Sequence, residues 1–212
     1  MPDRSRSAGR FGPIEWATVS RPRPGEQLCG DQAIAVDIDG ETALFGVLDG
    51  LGHGPAAASA ALAAVDALNG ARQQRLEVLI QLCHRLLEGT RGAAMTLARI
   101  DFQTSQLSWT GIGNVSAYLV AKSVSGIQVR SSARLVGGIV GYRIPEISPA
   151  QVVSMRTGDL LVITSDGIAE DHLDQIDFAA SACDIAEQIL TKHAKESDDA
   201  TVLAARHRGI ST

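Results

Sequence analysis

Hydrophobic and polar residues alternate loosely over residues 14–20, the period of a half-buried strand, and residues 32–38 and 42–48 are strand-like runs. Arg21-Pro22-Arg23-Pro24-Gly25 closes the first, because prolines cannot donate to a paired ladder. Asp39-Gly40 joins the other two as a hairpin signal. After Leu51-Gly52-His53-Gly54 the period changes. Pro55 suits the first turn of a helix, and the Ala-rich stretch running to Leu68 is a good helix former. Leu76, Leu79, Ile80, Cys83 and Leu87 then form a helical stripe that would pack on a sheet. From Ala93 the pattern returns to short strands, over 94–102, 106–112, 116–122 and 126–131, with turn residues between them. A Gly-rich segment, 135–142, interrupts; strands resume at 151–155 and 160–164. A helix over 181–193 and a strand over 201–205 complete the pattern. Two series of mainly antiparallel strands with helices after the first and late in the second predict an α+β sandwich. Strict βαβ alternation is missing, which argues against a doubly wound nucleotide-binding fold.

Composition narrows this picture. With 212 residues, 45% hydrophobic and only 4% aromatic, the chain suits one domain whose layers pack through Ala, Val, Leu and Ile. Residues 13–207 are expected to form that domain, and 1–12, with Arg4, Arg6 and Arg10, a flexible terminus. The net charge of −5 argues against a duplex-binding surface, so no nucleic-acid partner is expected. Three cysteines without CxxC spacing suit a reducing compartment. Without a signal-peptide pattern or a spanning apolar run, the expectation is a cytoplasmic protein with no membrane partner. Oligomeric state is left open, a monomer being one option.

Candidate chemistry lies where apolar strands run into Asp-Gly. Residues 43–48 lead into Asp49-Gly50, and 160–165 into Asp166-Gly167. A carboxylate at a strand end is rigidly held yet reaches the sheet rim, and glycine lets the backbone carbonyl come close as a further hard ligand. Mg²⁺ or Mn²⁺ takes oxygen ligands of this kind. Gly30-Asp31 precedes one strand and Ser197-Asp198-Asp199-Ala200-Thr201 precedes the last. Any single Asp-Gly is also the residue pair of a plain hairpin turn, and Asp198-Asp199 alone suits a solvated loop. Four such sites, each abutting a strand, point to a shared one; gathered without cations, their carboxylates would repel and raise one another's pKa. His53 reads first as a loop residue, with a general acid or a phosphate contact as the alternatives. Gly111-Ile112-Gly113-Asn114 joins strands and opens no helix, so it is not a dinucleotide fingerprint. Cys29 lacks a following phosphate loop and reads as an incidental thiol.

The order Gly30-Asp31, Asp49-Gly50, Asp166-Gly167, Asp198-Asp199-Ala200-Thr201 resembles the metal-dependent protein phosphatases of the type 2C or PPM family. Leu48-Asp49-Gly50-Leu51-Gly52-His53-Gly54 is similar to its bacterial SpoIIE-like branch. Short length, Cys29-Gly30-Asp31, Arg91-Gly92-Ala93-Ala94 and Gly113-Asn114-Val115 resemble the stressosome phosphatases within it. The resemblance implies an αββα sandwich of two mainly antiparallel sheets with two Mn²⁺ or Mg²⁺ ions at one edge. It implies Asp49 bridging both ions, the Gly50 carbonyl on one, and Asp166 and Asp198 on the other. Asp31 would act directly or through water, and Asp199 is the alternative to Asp198 or lies behind it. The implied activity is hydrolysis of phosphoserine or phosphothreonine on STAS-domain partners in stressosome or anti-sigma pathways, by a metal-bridging water that Asp49 and Asp166 position. Asn114 stands where larger members carry an aspartate associated with a third metal; with His53 it is a candidate phosphate contact. The arginine that grips phosphate in eukaryotic relatives has no obvious match. Residues 135–143 are expected to form a flap beside the site. Alternatives are an inactive pseudophosphatase acting as a binding module, a hydrolase of small phosphate esters, and a scaffold with ordinary Asp-Gly turns.

Overall fold

Apolar residues on both faces of a strand require a layer on each side, and the buried run Leu160–Thr164 meets that condition. The computed structural model describes residues 4–124 and 126–209. Its strands are β1 (Ser5–Phe11), β2 (Ile14–Arg21), β3 (Asp31–Ile38), β4 (Thr42–Gly50), β5 (Ala93–Asp101), β6 (Gln106–Ile112), β7 (Ser116–Ser123), β8 (Gly126–Ser132), β9 (Leu135–Val136), β10 (Gln151–Ser154), β11 (Leu160–Thr164) and β12 (Ala200–His207). The helices are α1 (Pro55–Gly70), α2 (Leu76–Leu86) and α3 (Ala182–His193). One antiparallel sheet runs β1-β2-β12-β11-β7-β8; the other runs β10-β6-β5-β4-β3, with β9 paired parallel to β6. This is the αββα sandwich that the sequence led us to expect.

Three apolar layers hold it. Ile14, Trp16, Phe45, Val47, Trp109, Leu161, Ile163 and Leu203 meet between the sheets. Leu44, Leu48, Leu97 and Ile112 on the outer face of the second sheet receive Ala60, Ala61 and Ala64 of α1 and the Leu79–Ile80–Cys83 stripe of α2. Alanines let α1 lie close to the sheet, which matters for the site below. On the other side Val162, Val202 and Ala204 receive Ile185, Ala186 and Ile189 of α3. Full burial of one such Leu or Ile side chain contributes about 1.5–3 kcal/mol. The N-terminus of α3 is capped by Ser181, whose Oγ accepts from the Asp184 N–H at 3.0 Å. The hairpin between β3 and β4 turns on Asp39 (φ 59°) and Gly40 (φ 76°), the left-handed pair that Asp-Gly favours.

The terminus departs from expectation. Residues 5–11 are not a loose tail: they pair along the whole of β2, from Ser5 opposite Ser20 to Phe11 opposite Ile14. Their side chains are solvent-facing except Phe11, which stacks on Trp16 at 5.1 Å. An edge strand wet on both faces has no apolar alternation to reveal it. Residues 1–3 of that expected tail lie outside the described residues.

Candidate metal centre

The pairing register brings the carboxylates together. Asp31 opens β3 directly opposite Asp49 near the end of β4. Asp166 follows β11 and Asp198 precedes β12, the strand hydrogen-bonded beside it. The first pair belongs to one sheet and the second to the other, so they meet across the gap at one edge of the sandwich. Asp49, Asp166 and Asp198 share a cavity of about 390 Å³ with Arg23, His53, Asn114, Gly138 and Ile139. Asp31, only 2% exposed, sits behind its wall.

Burial and mutual repulsion act strongly here. Desolvation, then the charges of Asp31, Asp166 and Asp198, push the Asp49 carboxyl up to about 9. Asp31 rises to about 7, again through burial, with a Ser165 hydrogen bond offsetting part of the effect. Asp166 is raised by burial and by Asp198. The buried Oδ2 of Asp31 has no hydrogen-bond partner. A set of hard oxygen donors that resist ionising together, one of them an orphan, fits divalent cations. Among the described residues no three His, Cys, Asp or Glu side chains yet stand in the geometry of a formed metal site. Asp166 instead receives the Asn114 amide at 2.6 Å and hydrogen-bonds Asp49.

A stability consequence follows with a definite sign. Asp31 and Asp49 hold protons in the folded chain that the unfolded chain releases above its value of 3.8. The metal-free fold therefore loses stability as pH rises through the range from about 4 to 9. His172 and His207, both depressed from 6.5 first by burial, act oppositely at lower pH and are neutral in both states well above 6.5. Melting curves in chelator should thus show a falling Tm between pH 7 and 9, and Mn²⁺ should suppress that slope. A flat profile in chelator would mean that the carboxylates do not repel.

Close approach explains the glycines. A Cβ on Gly50 would stand 2.3 Å from the Ala57 carbonyl oxygen of α1, and one on Gly167 would stand 1.8 Å from the Asp199 carbonyl oxygen. Gly50 thus lets α1 lie against the strand end that carries Asp49. Its N–H bonds the Gly30 carbonyl at 3.2 Å, tying the two carboxylate-bearing strands together.

Neighbouring carboxylates take different jobs. Asp199 is 2% exposed, and its two oxygens accept from the Arg23 N–H at 2.8 Å and the Gly30 N–H at 3.0 Å. Asp198 faces the cavity. Lys195 donates to the Asp166 carbonyl at 2.6 Å and draws the carboxyl's pKa back down. His53 joins Glu26 at 2.7 Å, linking the loop after β2 to the one after β4. Asn114 and His53, the two candidate phosphate contacts, both line the cavity, and Gly50 is buried. Burial, then Asp31 and Asp199, push Cys29 up to about 12, which keeps it a thiol and no nucleophile. Arg23 is the residue that sequence reasoning passed over. It lies in a Pro-rich connection with no periodic signal, and the Asp199 bond to its N–H and the Glu26 N–H bond to its carbonyl seat it beside the cavity. Gly137, Gly138 and Ile139 bring the Gly-rich segment to the opposite wall. That segment is pinned by β9 on β6 and by the Ala93–Val140 pair.

A family profile described as Stage II sporulation protein E (SpoIIE) matches residues 39–208. The phosphoserine phosphatase RsbX of Bacillus subtilis (strain 168) is 23% identical over 146 residues, 69% of this chain and 70% of that protein. A structure described as "The bacterial stressosome: a modular system that has been adapted to control secondary messenger signaling" is 32% identical. It superposes with a TM-score of 0.80 over 91% of this chain and 99% of its own. A crystal structure of RsbX in complex with magnesium gives a TM-score of 0.80 at 20% identity, covering 95% of this chain and 98% of that one. Among the described residues no helix is long and apolar enough to cross a membrane.

Proposed function

Because this chain belongs to the SpoIIE family, we propose that it is a metal-dependent protein-serine/threonine phosphatase. It removes phosphate from phosphoserine or phosphothreonine on regulatory partner proteins. The observation that carries this reading is the meeting of Asp31 and Asp49 from one sheet with Asp166 and Asp198 from the other, at an open cavity that Arg23 also lines. The donor set assigned to two Mn²⁺ or Mg²⁺ ions is Asp31, Asp49, the Gly50 carbonyl, Asp166 and Asp198. Bound there, the cations would supply Lewis acidity toward a phosphoryl group and offset the charge that builds during in-line attack.

The protein's own groups do the rest. Asn114 fixes the orientation of Asp166 by donating to its Oδ2. Asp199 fixes the Arg23 and Gly30 backbone, and so the position of the Arg23 side chain at the cavity. Arg23 is suited to grip the substrate phosphate by charge-assisted hydrogen bonds, the role for which the sequence offered no candidate. No protein nucleophile is required, which agrees with a Cys29 held protonated. A second hollow shares Gly137, Gly138 and Ile139 with the cavity and extends it to Tyr142 and Arg143. The exposed Tyr142 ring there offers a contact for the protein around a phosphoresidue. The stressosome description of one relative and the phosphoserine phosphatase activity of another support STAS-domain regulatory proteins as the substrates, and a cytoplasmic setting for the reaction.

The test is phosphate release from a phosphoserine- or phosphothreonine-bearing STAS-domain protein, with Mn²⁺ and with chelator. Activity that needs metal supports the reading. A folded chain that binds metal but stays inactive on phosphoproteins and small esters alike would favour the pseudophosphatase. Arg23→Ala should lower kcat/KM by roughly 10- to 100-fold, chiefly through KM. An unchanged KM would remove Arg23 from the phosphate site.

A further inference from the structure

A second substantial hollow lies away from the carboxylates. Its volume is about 740 Å³, and its walls include Lys122, Arg130, Arg156, Asp159, Phe178 and Arg206. Leu160, opposite Val120 and Arg206, marks this end of the first sheet, whereas Thr164, opposite Ser116, marks the carboxylate end. A strand of this length separates the two ends by roughly 15 Å. The hollow therefore belongs to a different rim from the metal centre.

Its charge balance is incomplete. Asp159, its one carboxylate, is consumed by an ion pair with Arg130 and by the Arg156 N–H at 2.7 Å. Among the described residues Lys122, Arg156 and Arg206 have no carboxylate within ion-pair distance. They reach the hollow from three separate places: β7, the turn between β10 and β11, and β12. Arg206 is the most telling of them. It lies 5.8 Å over the Phe178 ring and donates to the Ala180 carbonyl at 3.1 Å, while its buried Nε has no partner. Burial and the neighbouring Arg208 depress its pKa, and the charges of Glu15 and Asp177 offset only part of that effect. In a chain of net charge −5, three cations outside ion-pair distance of any described carboxylate round one concavity are a local reversal of sign. The volume is within the range of small-molecule sites, and Phe178 and the half-exposed Val129 add apolar surface beside the charges.

We propose that this hollow is a second anion site, which binds a small polyphosphorylated ligand of up to nucleotide size through Lys122, Arg156 and Arg206. Being remote from the carboxylates, it acts as an effector site rather than as part of the hydrolytic centre. The inference does not depend on the activity assigned above.

Calorimetric titration of the full chain with pyrophosphate and with a nucleoside triphosphate, in chelator so that no metal recruits phosphate elsewhere, tests it. Lys122→Ala/Arg156→Ala removes two exposed side chains without touching the core, and Arg23→Ala is the control at the other cavity. The expected result is binding that weakens as salt rises. The double variant should weaken it by at least about tenfold for each lost cation, and Arg23→Ala should leave it intact. Two results would overturn the proposal: no binding of either probe at millimolar concentration, or binding that the double variant leaves unchanged, whether or not Arg23→Ala abolishes it.

Discussion

Asp49→Asn should reduce phosphate release by on the order of 10³-fold, yet leave a fold that melts a few degrees higher than wild type in chelator. The first effect comes from removing the carboxylate that faces Asp31 across the ladder and Asp166 across the sheets. A loss of about 4 kcal/mol of transition-state stabilisation is the scale at which metal-assisted phosphoryl chemistry depends on its ligands. The second effect has the opposite sign because, without cations, Asp49 is a liability. Burial and three neighbouring carboxylates push it up to about 9, so an amide of the same shape relieves the repulsion. Phosphate release and melting curves on the same preparation check both. Lost activity with a lowered melting temperature in chelator would mean that Asp49 serves packing, and retained activity would remove it from the centre.

Gly167→Ala should be among the most destabilising single substitutions in the chain. A Cβ there meets the Asp199 carbonyl oxygen at 1.8 Å, and backbone cannot swing aside as the end of a lysine can. Overpacking of a tight core costs roughly 1–3 kcal/mol, and a clash with backbone exceeds that range. For a domain of this size the melting temperature should fall by about 6 °C or more. Because Asp199 also holds Arg23 and Gly30, any fold that survives should release phosphate poorly even with saturating metal. Thermal unfolding, followed by activity well below the new midpoint, separates the two losses. A shift under about 2 °C would show that the neighbouring chain yields easily.

How much could be read in advance depended on whether a residue's job was visible locally. The run Leu160–Thr164 was legible end to end because both its faces are buried and no polar residue breaks it. The helical stripe of α2 was legible for the same kind of reason, and so was the Asp-Gly hairpin. β1 was not, since solvent on both faces removes the alternation that betrays a strand. β9, two residues long, is too short to carry a period. The Asp-Gly pairs and the Asp198-Asp199 step stood out at strand ends, but spacing alone could not say that two different sheets bring them to one edge. Nor could it separate Asp198 from Asp199, adjacent and chemically identical. Hydrogen bonds to Arg23 and Gly30 separate them, and those partners lie far away in sequence. Arg23 was hidden twice over: its surroundings read as a connection, and its neighbour at the site, Asp199, is contributed by the step just before β12.

That last contribution sets an order of events. β12 slots between β2 and β11, and the step before it carries Asp198 and Asp199. The Gly30–Asp199 bond closes a loop of 169 residues. A chain emerging from the ribosome can thus assemble the sheet that bears Asp31 and Asp49 long before the other half of its centre exists. The gap between β2 and β11 stays open until synthesis reaches residue 207. The carboxylate cluster is completed in one late step, so a chain cut short before residue 198 would carry only the Asp31, Asp49 and Asp166 part of it.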